Sequence, residues 1–257
     1  MAESTESARL EVIYADDQLA AINKPPGLLT HRSAIARQES LYALQLLRDQ
    51  LGQHVFPVHR LDRPTSGVLL FALNRDCARR LSAQFSDGLV SKDYLAVVRG
   101  YCPVLGTIDH PLKEQLDPTT DRRARADKPP QDAQTTYKRL ATVELPVQVD
   151  RYPQTRYSLV HLKPQTGRKH QLRRHMKHLG HPIIGDSTHG KGIHNRFFAR
   201  ELACPRLLLA CVGLQLQHPV SGEALSLTAG PGGDFLNVLT RFGWTDQAAG
   251  RLDGLKA

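Results

Sequence analysis

The segment that most limits the fold is residues 59–67, which read His-Arg-Leu-Asp-Arg-Pro-Thr-Ser-Gly. Pro64 fixes its own φ angle, and Gly67 can adopt backbone conformations that are closed to other residues. An apolar stretch at residues 68–73 follows directly and is typical of a buried strand. The sequence therefore predicts a rigid loop at the edge of a sheet, with Asp62 on that loop.

Asp62 is the candidate functional group of this loop. Arg60 and Arg63 flank it in sequence, and nearby cations favour the ionised form of a carboxylate. Such a group can act as a nucleophile or as an electrostatic anchor. The alternative is an ordinary turn aspartate that accepts backbone hydrogen bonds beside two solvated arginines. This segment alone leaves both interpretations open.

The charge of the chain indicates a polyanionic partner. Its 257 residues include 34 Lys and Arg against 25 Asp and Glu, a net charge of +9, which suits nucleic acid or an anionic membrane. No run of 18 apolar residues is present, and residues 1–9 are too polar for a signal peptide. We therefore predict a cytoplasmic protein that does not enter the membrane.

Periodicity predicts alternating strands and helices. The expected strands are residues 10–14, 19–23, 92–98, 157–162, 206–210 and 213–217. The expected helices are residues 41–51, capped by Ser40 and ended by Gly52, then residues 76–86, 170–179 and 234–242. Residues 111–130 are charged and poor in large apolar groups. They are interpreted as a mobile insertion that contacts a phosphate backbone, or alternatively as a solvated loop.

The helix at residues 170–179 is predicted to be amphipathic. Leu172, Met176 and Leu179 share one side. The opposite side carries five basic or titratable groups and no acid: His170, Arg173, Arg174, Lys177 and His178. Such a stripe is usually a solvated helix face, but five such groups without an acid indicate a contact with phosphates.

Two other kinds of site are disfavoured. His175, His178 and His181 are spaced three apart, but zinc sites normally add a thiolate or carboxylate, and this region is crowded with Arg and Lys. A hydrolase triad could use Ser66 and His59 with the nearby aspartate, but the chain has no Gly-x-Ser-x-Gly elbow. We therefore predict no metal site.

Several segments of the chain together resemble the RluA-type pseudouridine synthases. Residues 59–67 match one signature of that family, and residues 166–173, Thr-Gly-Arg-Lys-His-Gln-Leu-Arg, match the second. Residues 23–27, 92–94, 180–186 and 218–219 extend the match in order and spacing, so the resemblance covers residues 10–244. One departure is visible: residues 209–211 are Leu-Ala-Cys, where the family pattern suggests Leu-His-Ala.

The resemblance implies an isomerase that converts uridine in RNA to pseudouridine without a cofactor. It implies that Asp62 attacks the ribose C1′ or the base, or takes a ribose proton, and that Arg168 pairs with it and keeps it anionic. Tyr94 is expected to stack on the uracil and to help remove the C5 proton. Leu172 is expected to pack on the other face of the base. The alternative is that Leu172 belongs only to the apolar core beneath the helix. The base must be flipped out of the RNA, and Arg60 is expected to fill the gap.

The implied fold is one α/β (α+β) domain over residues 10–245. It has a mixed, largely antiparallel curved sheet in two halves, with flanking helices and a central basic cleft that holds Asp62. Residues 1–9 and 246–257 are expected to be tails. Many relatives carry a small N-terminal S4-type RNA-binding domain, and no such domain is expected in this sequence.

The expected partner is tRNA, and we expect the protein to act as a monomer. The two signatures are most similar to those of family members that modify uridine 65 in the T stem. The alternatives are a target in rRNA or at another tRNA position, and an RNA-binding protein without catalysis.

Overall fold

The computed structural model describes residues 9–31, 41–114 and 128–255. Within these ranges the strands are β1 (Glu11–Ala15), β2 (Leu19–Lys24), β3 (Phe56–Pro57), β4 (Ser66–Ala72), β5 (Ser91–Arg99), β6 (Leu105–Asp109), β7 (Gln134–Leu145), β8 (Thr155–Pro164), β9 (Leu209–Gln217) and β10 (Ala224–Thr228). The helices are α1 (Ala43–Leu51), α2 (Arg75–Ser86), α3 (Gln171–His178), α4 (Gly192–Glu201), α5 (Gly233–Arg241) and α6 (Thr245–Asp253).

All ten of these strands form one mixed, mostly antiparallel sheet, as predicted. Its order is β1-β2-β4-β9-β5-β8-β7-β6, with β3 beside β4 and β10 beside β9. The parallel pair is β4 with β9, and it joins the two parts of the sheet. The loop that carries Asp62 leads directly into β4 and so lies at this junction. No helix in the described ranges is long and apolar enough to cross a membrane.

The final glycine of the 59–67 segment is required by this parallel junction. Gly67 pairs with Cys211 and has a φ angle of +107°, which side chains rarely tolerate. A Cβ atom there would lie 1.9 Å from the carbonyl oxygen of Cys211. Every residue of β4 is buried, in agreement with the apolar pattern. Gly67 therefore allows β4 and β9 to approach closely, and it ends the loop that carries Asp62.

Most predicted helices are confirmed. Helix α2 is capped by Asn74, whose side chain accepts a hydrogen bond from the Cys77 N–H, and α3 and α5 lie within one residue of their predicted bounds. Helix α1 begins later than predicted and ends at Gly52, whose φ is +67°. Its predicted cap, Ser40, lies outside the described residues.

The two strands predicted at residues 206–210 and 213–217 are one strand, β9. The sequence predicts a new strand beginning at Gly213, but this residue pairs with Asp93 in the middle of β9. A Cβ atom at Gly213 would lie 2.7 Å from the side chain of Leu255. The glycine therefore allows close packing inside the strand rather than a break.

The predicted C-terminal tail is largely a helix. Helix α6 buries Ala248, and Leu255 just beyond it is also buried. Arg251 on this helix donates to the buried carboxylate of Asp93 at 2.8 Å. These apolar contacts and this ion pair hold the segment against the sheet.

The predicted insertion at 111–130 connects β6 to β7. Leu112 near its start and Gln131 just after it form an isolated antiparallel bridge, with N–O distances of 2.8 and 3.0 Å. The basic run at residues 121–125 lies outside the described residues.

Candidate active site

A cavity of about 510 Å³ lies where the loop before β4, the strand β5, the turn before α3 and the first turns of α3 meet. Seven of the nine residues predicted to be catalytic or RNA-binding line it: Arg60, Asp62, Tyr94, Arg168, His170, Leu172 and Arg173. The other two, Arg174 and Lys177, lie further along α3, where Arg174 is half-buried and Lys177 is exposed. The structure therefore brings together residues that are more than 100 positions apart in sequence.

Asp62 faces this cavity and is held by α3. Its Oδ2 atom accepts a hydrogen bond from Nη1 of Arg173 at 3.2 Å, and Nε2 of His170 lies 3.9 Å away. The Asp62 side chain is 21% exposed, so it remains accessible to a ligand. Within the described residues Oδ1 makes no hydrogen bond or ion pair. One carboxylate oxygen is thus anchored and the other is available for reaction.

Arg173 is oriented by a second carboxylate, Asp186. The two side chains form a bidentate pair, with Nε–Oδ2 at 2.6 Å and Nη2–Oδ1 at 2.8 Å, and both are buried. Burial by itself would lower the pKa of Arg173, but its hydrogen bonds and charge interactions with Asp186 and Asp62 raise that pKa above its ordinary value. Arg173 therefore stays cationic and presents its remaining nitrogen to Asp62.

The predicted ion pair between Arg168 and Asp62 is wrong. Arg168 is exposed in the turn before α3, and its Nε donates to the carbonyl oxygen of Asp132 at 3.1 Å. Arg173, expected on the outer basic face, is instead 4% exposed and supplies the pairing. Helical spacing predicts Arg173 on the face opposite the apolar side of α3, but its ion pair with Asp186 allows the guanidinium to be buried. Arg168 nevertheless lines the cavity.

Tyr94 lies on β5 in the cavity wall. Burial raises the pKa of Tyr94 well above its ordinary value, and the adjoining Cys211 thiol and the charge of Asp62 act in the same direction. The phenol therefore stays protonated, which suits stacking on a base better than removal of a proton. Leu172 is buried in a core cluster that Tyr94 also contacts, so it is core and cavity wall at once.

Lys24 supports the loops around the site, although the sequence alone does not indicate a separate role for it. Its buried ammonium donates to the carbonyl oxygens of Pro25, Leu28 and Arg63 at 2.9, 2.9 and 3.2 Å. Burial and the charge of Arg206 lower the pKa of Lys24 to about 7, against the opposing effect of Asp62. The sequence signal for this role of Lys24 is the Asn-Lys-Pro-Pro-Gly segment at residues 23–27. Lys24 ties this segment to the loop that carries Asp62.

The residues of the disfavoured sites have other partners. The ring nitrogens of His175 lie 3.0 Å from the Thr135 hydroxyl and 3.1 Å from the His110 carbonyl oxygen. In the part of the chain that the structure describes, no three His, Cys, Asp or Glu side chains are grouped to hold a metal ion. Ser66 donates to the Pro231 carbonyl oxygen, and Nε2 of His59 accepts from the Leu70 N–H. No hydrolase triad is formed by these two residues.

Comparison with known proteins agrees with this site. A sequence profile described as RNA pseudouridylate synthase matches residues 18–178. The chain belongs to this RNA pseudouridylate synthase family. A Yersinia pestis protein named tRNA pseudouridine synthase C is 53% identical over 236 residues, which cover 92% of each chain. A Vibrio cholerae protein of the same name is 48% identical, over 92% of this chain and 97% of that relative.

Solved structures of the family share the fold. Human RNA pseudouridylate synthase domain containing 4 superposes with a TM-score of 0.68 at 26% identity, covering 91% of this chain and 93% of that one. Its human relative, domain containing 1, superposes with a TM-score of 0.66 at the same identity. The predicted fold and the predicted family are therefore confirmed, and the protein is an isomerase.

The chemistry of a pseudouridine synthase fits the cavity. The reaction breaks the bond from uracil N1 to ribose C1′ and forms a bond from C5 to the same carbon. N1 gains a proton and C5 loses one, so the reaction needs neither an oxidant nor a second substrate. Asp62 is the accessible carboxylate beside Tyr94, and Arg173 holds it in place. The cavity therefore places an accessible carboxylate beside an aromatic side chain.

Proposed function

We propose that this protein isomerises uridine 65 in the T stem of tRNA. The observation that carries the proposal is the Asp62–Arg173 pair in the cavity wall, in a chain about half identical to proteins named tRNA pseudouridine synthase C. The position within the tRNA rests on the similarity of the two signature segments. We further propose that the protein acts in the cytoplasm, as a monomer and without a cofactor.

Asp62 is the reacting group in this proposal. Arg173 fixes the orientation of its carboxylate, and Tyr94 stacks on the flipped uracil. Arg60 is exposed in the cavity wall, where its side chain can occupy the space that the base leaves in the stem. Arg168 is exposed at the same cavity and contacts the RNA rather than Asp62.

A paired base in a stem must be flipped before it can react. Unpairing and unstacking cost a few kcal/mol, which the binding energy must offset. The net charge of +9 and the outer residues of α3, Arg174 and Lys177, supply phosphate contacts for this purpose. Such contacts position the RNA without specifying its sequence. RNA affinity is therefore expected to fall steeply as salt is added.

The second candidate is the same reaction on rRNA or at another tRNA position. An unpaired target in a loop would make flipping cheap, and the fold of the RNA would then be read directly. An RNA-binding protein without catalysis is disfavoured, because the cavity retains an accessible carboxylate with an oriented cation.

Mapping pseudouridine in a deletion strain tests the assignment. The proposal expects position 65 of tRNA to become unmodified, with rRNA unchanged and with modification restored by the wild-type gene. Loss of a pseudouridine in rRNA, with position 65 unaffected, contradicts the tRNA assignment but keeps the chemistry. No change at any position contradicts both.

A further inference from the structure

A second group of residues that line the cavity has no role in the reaction proposed at Asp62. This part of the cavity is formed by the loop before β4, the last turns of α2, the turn after α2 and the beginning of β5, and we call it the α2 end. Its residues are His59, Ser82, Phe85, Ser86, Gly88 and Lys92. Ser82, Ser86 and Gly88 are exposed, so this end is open to solvent.

Lys92 is the cation of the α2 end. Alternation along β5 places it on the same face as Tyr94, and both side chains line the cavity. Lys92 is half-buried, and burial lowers the pKa of its ammonium. Among the described residues that ammonium forms no hydrogen bond and no ion pair. Lys24, in contrast, is buried with three carbonyl acceptors.

A half-buried ammonium in a cavity wall, without a hydrogen bond or ion pair to the described residues, favours an anionic ligand. Removing part of the water around a cation costs free energy unless a partner replaces that water. The described residues offer the Lys92 ammonium no hydrogen bond or ion pair, and the nearby His59 does not act as a second cation. Burial, assisted by the charge of Lys92, lowers the pKa of His59 to about 3, so its imidazole is neutral.

The floor of the α2 end is rigid. The ring of His59 stacks on Phe85, with centroids 4.6 Å apart and planes 15° from parallel. The other contact of His59 is its Nε2 atom, which accepts the Leu70 N–H at 3.0 Å. Ser82 and Ser86 are one helical turn apart and present their hydroxyl groups on the same side of α2. A cation and two hydroxyl donors therefore surround an aromatic floor.

We propose that the α2 end binds a backbone phosphate of the RNA next to the flipped uridine. Lys92 is the charge partner of this phosphate, and Ser82 and Ser86 are its hydrogen-bond donors. The proposal rests on the proposed function, because it takes the uracil to lie on Tyr94. Residues two apart on a strand are separated by about 6.6 Å, so Lys92 reaches the backbone beside the base rather than the base itself. The opening to solvent is where a polynucleotide chain must enter.

The test is the salt dependence of RNA binding by Lys92→Gln. The dissociation constant for a tRNA transcript is measured at several KCl concentrations for wild type and variant. Loss of one phosphate contact reduces the slope of log affinity against log salt by about 1. Lys138 is an exposed lysine of β7 that does not line the cavity, so Lys138→Gln is the matched control and is expected to keep the wild-type slope. Lys92→Arg, which keeps the positive charge, is expected to retain most of the slope.

Two results overturn the proposal. One is a Lys92→Gln slope equal to that of wild type; slower turnover at saturating RNA would then assign the ammonium to the departing uracil. The other is an equal loss of slope in Lys92→Gln and Lys92→Arg, which would indicate altered folding. The slope reports affinity and not turnover, so a failed tRNA assignment shows separately as wild-type protein that forms no pseudouridine in the transcript.

Discussion

At the scale of single residues, the site depends on one arginine shared by two carboxylates. Arg173 bridges Asp186 and Asp62, which are 124 positions apart in sequence. Asp62 can be identified from the sequence because its loop has a recognisable pattern. Its partner cannot, because an ion pair between distant segments leaves no local signature, and Arg168 and Arg173 both lie in the second signature segment. Asp186 was part of a matched segment without an assigned role.

Arg173→Ala is expected to abolish turnover and to destabilise the fold. It would leave Asp186 buried without its cation, and breaking a buried ion pair by removing one partner costs about 3–5 kcal/mol. Arg168→Ala is the matched control, because Arg168 is exposed and bonds to a backbone carbonyl. Urea unfolding is expected to show a loss for Arg173→Ala and little change for Arg168→Ala. Equal stability of the two variants would contradict the bridging role of Arg173.

At the scale of elements, the parallel junction of β4 and β9 positions the loop that carries Asp62. Gly67→Ala is expected to destabilise the protein for two reasons. A positive φ at a residue other than glycine costs about 1–3 kcal/mol, and the added Cβ would collide with the carbonyl of Cys211. Gly222 has a φ of +75° and open space around its Cα, so Gly222→Ala reports the backbone strain alone. If thermal unfolding shows an equal decrease in Tm for both variants, the close approach of β4 and β9 does not limit which residue can occupy position 67.

Helix α4 is attached to β8 through a buried histidine. His194 lies 2.9 Å from the Tyr157 hydroxyl, and burial, with the charges of Arg99 and Lys191, lowers the pKa of His194 to about 4. The unfolded chain therefore binds a proton that the folded protein excludes. This contribution to stability is complete above the ordinary histidine pKa of 6.5 and is lost as the pH falls toward 4.

His194→Gln is expected to flatten the pH dependence of stability. Each histidine of this kind makes the free energy of unfolding fall by about 1.4 kcal/mol per pH unit within that window. Urea unfolding between pH 4.5 and 7 measures the slope, with the exposed His54→Gln as control. An unchanged slope in His194→Gln would show that the folded and unfolded chains bind a proton at His194 equally.

At the scale of the whole molecule, the sequence predicted the local elements better than their assembly. Helices α2, α3 and α5 were predicted because caps and periodicity are local, and β4 because its apolar run is continuous. Strand β7 was missed because most of its side chains are half-buried or exposed. Helix α6 was missed because its packing depends on Asp93, 158 positions before Arg251.

The most direct test of the account is pseudouridine formation at position 65 in a tRNA transcript incubated with purified protein. Wild type is expected to convert this uridine stoichiometrically without added cofactor. Asp62→Asn keeps the shape of the side chain but removes its charge, so it is expected to bind the same RNA and form no pseudouridine. Turnover by Asp62→Asn at a rate near that of wild type, or wild-type pseudouridine at other positions only, would contradict the account.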